Sequence, residues 1–582
     1  MTAITEGAHA NLHRTIDWKG AFWVASGVPA LVLFSIGGIA GTVGIPAYAV
    51  WIVSMCMGFI QSFTYAEIAG LFPNKSGGAS VYGAAAWLKY GKFIAPLSVW
   101  CNWFAWSPVL SLGSAIAAGY ILDYVERAPT AEAIAARVAE TAGTAQPLDE
   151  AAATIDLMPL HNAEFLGFDL GSLAHVSIGW TFVIGAVLML IAFFIQHRGI
   201  LGTAKVQTVV GTIIVLTLLI VGVVPFFNGN FNSANFEPFV PAVTGSWDNI
   251  GWTYVLGGMF IAAWSTYGFE TAVCYTSEFK NPETDTFKAI FYSGLLCMVL
   301  FILVPITFQG YLGLTGMTEA TVVAGTGVAS VMADMVGGAG AAVHTLMVAL
   351  MIASLILIII TAMAGSSRTL YQGSVDGWLP KYLSRVNHNG APTAAMWTDL
   401  VVNLILLCFA ADVVAYFFIL AVSNCGYIIF NFLNLNAGWI HRMDAPHVKR
   451  PYKAPTIILA AGTVLAFVNC IFMGAGAKTW HVVTDREPHW WDNPLWIGLL
   501  FAALIIPVFC FRHYVQDGGK FPKRMLEDLG VQEEGGLGQK RAGVLPYVVL
   551  VAGLAVIVAC NFIFEVPAPT APAEAVPAVT TP

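Results

Sequence analysis

Charge is scarce in this chain. Asp, Glu, Lys and Arg together make up 10% of its 582 residues, where an ordinary soluble domain carries about 25%. With 57% of residues hydrophobic, that scarcity excludes a globule with one anchor and implies an integral membrane protein. A Gly-x4-Gly-Lys-Ser/Thr phosphate loop is missing, which argues against a primary pump. Close Cys-x2-Cys spacing is also missing: Cys56, Cys101, Cys274, Cys297, Cys408, Cys425, Cys470, Cys510 and Cys560 all fall in apolar stretches. They read as small buried hydrophobes, not as a metal site or a disulfide framework. No paired catalytic groups stand in plausible juxtaposition, so neither an enzyme nor a cofactor is expected, and no nucleic-acid partner. The first twenty residues lack a secretory signal, and the first span is expected to act as the insertion signal.

Apolar runs long enough to cross about 30 Å of hydrocarbon lie near 21–45, 47–71, 93–122, 177–195, 203–227, 250–277 and 288–313. Six more follow near 338–365, 393–411, 413–440, 455–475, 494–513 and 544–566. With residues 1–20 cytoplasmic, all but four of the 26 Lys and Arg residues fall on the inner side; the exceptions are Arg127, Arg137, Lys478 and Arg486. That division satisfies the positive-inside rule and supports both the orientation and the count of thirteen spans. Residues 123–175 form an external insert, whose segment AEAIAARVAETAG predicts a short solvated helix. Residues 567–582, rich in Pro, Ala and Thr, are expected to be a disordered tail.

Two spans contain features that a plain membrane helix avoids. The segment Phe260–Pro282 begins as an apolar helix, then places Ser265, Thr266, Gly268 and Glu270 within six residues. A carboxylate there costs a few kcal/mol or more unless it faces protein or water. Gly268 suits a helix unwound at that point. The first span holds Gly37, Gly38, Gly41 and Gly44 within eight residues, followed by Pro46. These glycines predict a second break, and close packing of small residues is the alternative reading. Spans one and six open two successive sets of five helices, and paired interruptions of that kind point to a transporter site built from inverted repeats. At such a break, free N–H groups attract a carboxylate and free carbonyls an ammonium, so a zwitterion needs no charged side chain.

Further along, four motifs occur in colinear order. They are Tyr65-Ala66-Glu67-Ile68 with Phe72-Pro73-Asn74-Lys75-Ser76-Gly77-Gly78 and Tyr82; Gly268-Phe269-Glu270 with Glu278-Phe279-Lys280-Asn281-Pro282; Ser367-Arg368-Thr369-Leu370-Tyr371 with Asp376-Gly377-Trp378-Leu379-Pro380; and Arg450-Pro451-Tyr452-Lys453-Ala454-Pro455. From about Asp17 to Pro455 the chain resembles the amino acid–polyamine–organocation (APC) permeases. The resemblance implies an all-α membrane fold of two inverted five-helix repeats (21–227 and 250–440) with broken first and sixth helices, then three additional helices over 455–566. It also implies a secondary transporter of amino acids or related amines in the plasma membrane, driven by a proton or sodium gradient or by exchange. A polyamine or organic cation is the alternative substrate. A transport-inactive receptor or assembly subunit is the alternative function, and an ion channel is a weaker one.

The expected substrate contacts are Gly37, Gly38, Ile39, Ala40, Gly41 and Thr42 at the first break and Ala263, Trp264, Ser265, Tyr267 and Gly268 at the second. Glu270 is the coupling or gating candidate. The family's first break reads Gly-x-Gly-hydrophobic-Phe; counted back from Pro46, its equivalent is Ile39–Val43, with one glycine missing. Some members carry a lysine midway along the fifth span as a substitute for sodium. Thr212 takes that place here, with Lys205 nearer the cytoplasmic end, and the coupling ion stays open. Asn102, Trp103 and Trp106 form a polar-aromatic face, Glu67 reads as a tie to loop backbone, and Arg368, Asp376 and Lys381 as an ion-pair cluster.

Overall fold

A computed structural model of the protein describes residues 12–126, 164–169, 175–337, 340–409, 413–481, 489–528 and 540–566. Without water in the hydrocarbon layer, each backbone polar group must find its partner within the segment, so apolar runs of this length become helices. Among the described residues, eleven helices are long and apolar enough to cross a membrane, from Trp18–Val43 to Leu545–Ile563. The other two expected spans take different forms. Residues 393–411 give the shorter helix Thr393–Leu407. Residues 250–277 are divided into the α-helix Asn249–Thr266 and the 3-10 helix Gly268–Glu278.

Burial orders these helices. The most apolar window of Ile94–Val125 is 94% buried, against 22% for Leu545–Ile563, so the third span lies at the centre and the last at the rim. Lys478 holds that last helix by donating to the carbonyls of Asn561 (2.9 Å) and Phe564 at its C-terminal end, where unpaired carbonyls favour a cation. A short buried helix, Ala79–Trp87, follows the second span. It is entered through Gly77 and Gly78 at φ +99° and +84°, a left-handed turn that glycine alone adopts cheaply. Of the expected external insert, the described residues are the end of the helix Val109–Glu126 and the strand Glu164–Asp169, which pairs antiparallel with His175–Gly179 at the entry to the next span. The helix expected over 131–143 lies outside the described residues, as does the tail 567–582.

The first span is interrupted, but not at its glycine-rich run. Its helix Trp18–Val24 is capped by Asp17, whose carboxylate accepts the Gly20 N–H at 3.0 Å. It ends at Ala25 and passes through Ser26 and Gly27 into the 3-10 turn Val28–Leu31. Pro29 has no N–H to continue the α-helical ladder. The helix restarts as Val32–Val43 and carries Gly37, Gly38, Ile39, Ala40, Gly41 and Thr42 in regular α-conformation.

Candidate functional site at two helix breaks

The two interruptions face each other. A methyl group placed on Gly268 would come within 3.1 Å of Val28 and 3.5 Å of Leu31, both in the first break. The same methyl would meet the Trp106 ring at 2.7 Å, so the third span closes the third side. Trp106 donates its indole N–H to Glu270 Oε1 at 3.1 Å. The second oxygen, Oε2, has no hydrogen-bond partner among the described residues and lies close to the Gly78 backbone, where the helix Ala79–Trp87 begins. The N-terminal end of a helix is a favourable place for negative charge.

Around these breaks stand buried polar groups without partners among the described residues: the hydroxyls of Ser26, Ser265 and Thr271. An unpaired buried donor or acceptor is costly, and natural structures seldom leave several together unless a ligand or water completes them. The neighbouring groups are satisfied. Thr266 shares a hydrogen bond with Ser54 at 2.7 Å. Tyr267 donates to Asn469 at 3.1 Å, Asn469 donates to Asn431, and Asn431 donates to Gln61 and Tyr65. Trp264 donates to the Ala105 carbonyl at 3.0 Å and stacks near Trp106, which makes it part of the packing between spans six and three.

The residues expected at the first break lie in the regular helix Val32–Val43, away from the observed interruption. Gly37 lies against the Val322 backbone (2.6 Å from an added methyl) and Gly38 against the Phe417 ring (2.3 Å). These are places where small residues let neighbours approach closely. Gly41 faces open space, and Thr42 donates to the Gly38 carbonyl of its own helix at 2.9 Å. The break falls at Ala25-Ser26-Gly27-Val28-Pro29, which keeps the second glycine and the hydrophobic residue of the Gly-x-Gly-hydrophobic-Phe order and has Ala25 and Pro29 at its ends. Of the second-break residues, the Ala263 carbonyl accepts the Tyr267 N–H at 3.1 Å, Ser265 and Tyr267 sit at the end of the α-helix, and Gly268 opens the 3-10 helix.

On the fifth span, Thr212 donates back to Thr208 of its own helix. Gln207 is the residue that reaches the break: it donates to Thr361 Oγ1 at 2.9 Å and to the Leu357 carbonyl at 3.3 Å, and Thr361 donates to the Val24 carbonyl at 2.8 Å. A neutral amide on span five therefore holds the Thr361 hydroxyl, which ties span eight to the end of the first half-helix. Sequence reading also missed Asp399, fully buried on Thr393–Leu407, which accepts from Trp103 Nε1 at 2.9 Å and Ser107 Oγ at 2.6 Å.

At one end of the bundle the polar cluster is paired differently from the expectation. Arg368 meets Glu278 through two bonds of 2.5 and 3.1 Å, Lys75 meets Asp376 at 2.7 Å, and Lys381 meets Asp517 at 3.0 Å. Glu67 accepts the Ala454 N–H at 2.8 Å, the expected loop tie, and also receives Arg442 and Arg450. The chain before the first helix lies across this end, with the Thr15 and Ile16 N–H groups on the Glu278 carbonyl.

The amino acid permease profile matches residues 16–484, most of the chain. The chain belongs to this family of the APC superfamily. The permease is 23% identical over 297 residues to the branched-chain amino acid permease BcaP of Lactococcus lactis subsp. cremoris, covering 50% of this chain and 60% of that one. It is 22% identical over 292 residues to BcaP of Bacillus subtilis, covering 49% and 57%. The chain thus spans less than two thirds of each relative. The family is one of membrane permeases, a non-catalytic class, and the eleven long apolar helices among the described residues agree with it.

Proposed function

We propose that this permease carries neutral amino acids, with branched-chain side chains the first class to test, across the plasma membrane by alternating access. The observation that carries the reading is the meeting of the two broken helices, Val28 and Leu31 against Gly268, beside buried hydroxyls that have no partner among the described residues. The helix ends that meet at Ala25–Gly27 and after Thr266 suit the carboxylate and ammonium of a zwitterion, and the surrounding aromatic and aliphatic side chains suit an apolar substrate. A polyamine would need several carboxylates, and Glu270 is the one carboxylate at the breaks among the described residues. Both relatives are named for branched-chain amino acids.

In this reading the five-plus-five repeat over 21–227 and 250–440 forms the moving core and the N-terminus is cytoplasmic. The Arg368–Glu278, Lys75–Asp376 and Glu67–Arg442 pairs then close the inner face. Energy comes from a proton or sodium gradient or from exchange. The test is a thermal-shift panel of the twenty amino acids and common polyamines, followed by uptake of the stabilising compounds into proteoliposomes. A ligand at a hundredfold excess over its dissociation constant adds about 2.7 kcal/mol. Stabilisation by leucine, isoleucine and valine, with uptake, supports the proposal. Stabilisation by polyamines alone overturns the substrate class, and binding without uptake favours a receptor.

A further inference from the structure

The third span is not one regular helix. It runs as Ile94–Trp106, breaks at Ser107–Pro108, and resumes as Val109–Glu126. Pro108 lacks an N–H, and the ladder is re-routed around it: the Ser107 carbonyl takes the Leu110 N–H at 3.1 Å, which leaves the Ser111 N–H without its usual acceptor. A side chain from the ninth span supplies one. Asn403 Oδ1 accepts the Ser111 N–H at 3.1 Å, and Asn403 Nδ2 donates to Ser107 Oγ at 2.8 Å. One helical turn earlier, Asp399 accepts from Ser107 Oγ and Trp103 Nε1 on Oδ1, and from Ser366 of the eighth span on Oδ2. All six residues are buried. Directly beside this joint stands Trp106, the residue that holds Glu270.

We propose that Asn403 and Asp399 are positioning residues: they fix the Pro108 joint of the third span and thereby set Trp106 on Glu270. Spacing of four residues puts both polar groups on one face of Thr393–Leu407, so one helix face splints the joint at two points. Asp399 meets three neutral donors and no cation among the described residues, so its contribution is geometric; a carboxamide in its place keeps Oδ1 for Trp103 and Ser107 and turns an N–H toward Ser366. The ninth span packs against the third, fourth and eighth spans. Its effect on the site passes through the rotation of one indole. The inference rests on the proposed role of the two breaks and of Glu270.

The experiment is a double-mutant cycle on leucine uptake in proteoliposomes. N403A and S107A should each raise the leucine KM by roughly tenfold in the wild-type background, the consequence of one orphaned buried group. In a W106F background they should add less than about a factor of two. D399N should keep the wild-type KM and pH profile, whereas D399A should behave as N403A. S107A deletes a single hydroxyl and decides the matter if N403A fails to elute as a folded protein. Additive effects with W106F would overturn the proposal, as would loss of transport in D399N, which would make the charge essential. Wild-type kinetics in W106F itself would remove the Glu270 site, and the proposal with it.

Discussion

Trp106 donates its indole N–H to Glu270 Oε1 at 3.1 Å, joining the third span to the interrupted sixth. Both side chains are almost fully buried, and no cation pairs with Glu270 among the described residues. A lone carboxylate in such a place marks a functional site more often than a structural one, because neutral residues would stabilise the fold at lower cost.

Glu270→Gln separates the two roles. The amide oxygen can still accept from Trp106, so packing at the break survives, but no proton can be exchanged. Binding measured by thermal shift should remain, while uptake should stop or lose its dependence on pH. A mutant with wild-type rate and wild-type pH profile would show that Glu270 is structural.

A pair of glycine substitutions tests where the first break lies. A methyl on Gly27 would approach Thr361 Oγ1 to 2.5 Å and the Leu357 carbonyl to 2.8 Å. Gly27→Val should therefore push the break away from the eighth span and abolish substrate binding in a folded protein. Gly41 meets nothing within 4 Å, so Gly41→Val should leave affinity unchanged. Radioligand binding to both purified variants settles the location; a reversed pattern would restore the glycine-rich run as the site.

The contrast between the two breaks shows how far a sequence carries. Glu270 and Gly268 are legible because a charge and a glycine inside an apolar run seldom serve packing alone. The first break is misplaced when glycines are counted without regard to what surrounds them. Gly37 and Gly38 serve close packing against Val322 and Phe417, whereas a single Gly27 followed by Pro29 unwinds the helix. Asp399 carries the same signal as Glu270, a carboxylate within an apolar helix, but its donors come from residues 33 to 296 positions away. Partners at that distance follow from tertiary packing. So do the pairings of Lys75 with Asp376 and Arg368 with Glu278, which span 301 and 90 residues and replace the local cluster expected around Arg368.

The Arg368–Glu278 pair is buried on both sides, at 1% exposure each. Removing one partner leaves an uncompensated charge, so Glu278→Ala should cost about 3–5 kcal/mol, and replacing both by apolar residues of similar volume should cost much less. Melting temperatures in detergent, single against double mutant, measure the difference. In the proposed reading the pair also closes the inner face, so the double mutant should show faster substrate exchange than the wild type. An equal loss of stability in single and double mutants would mean that the pair is not the stabilising unit.

Orientation underlies every assignment of an inner and an outer face. With the N-terminus cytoplasmic, the exposed loop residue Asn230, between the fifth and sixth spans, lies outside, and the exposed Lys449, after the tenth, lies inside. Five apolar segments separate them, one of which is the interrupted Asn249–Glu278 and one the short Thr393–Leu407. In a background without the nine native cysteines, N230C should react with a membrane-impermeant thiol reagent on intact cells. K449C should react only after the membrane is opened. Labelling of both on intact cells would mean that one of the two irregular segments does not cross. If that segment were Thr393–Leu407, the Arg442–Lys453 loop would move outside while Glu67 stayed inside, so the Glu67–Arg442 and Glu67–Arg450 pairs could not form and the proposed inner gate would fall, with the two breaks left in place.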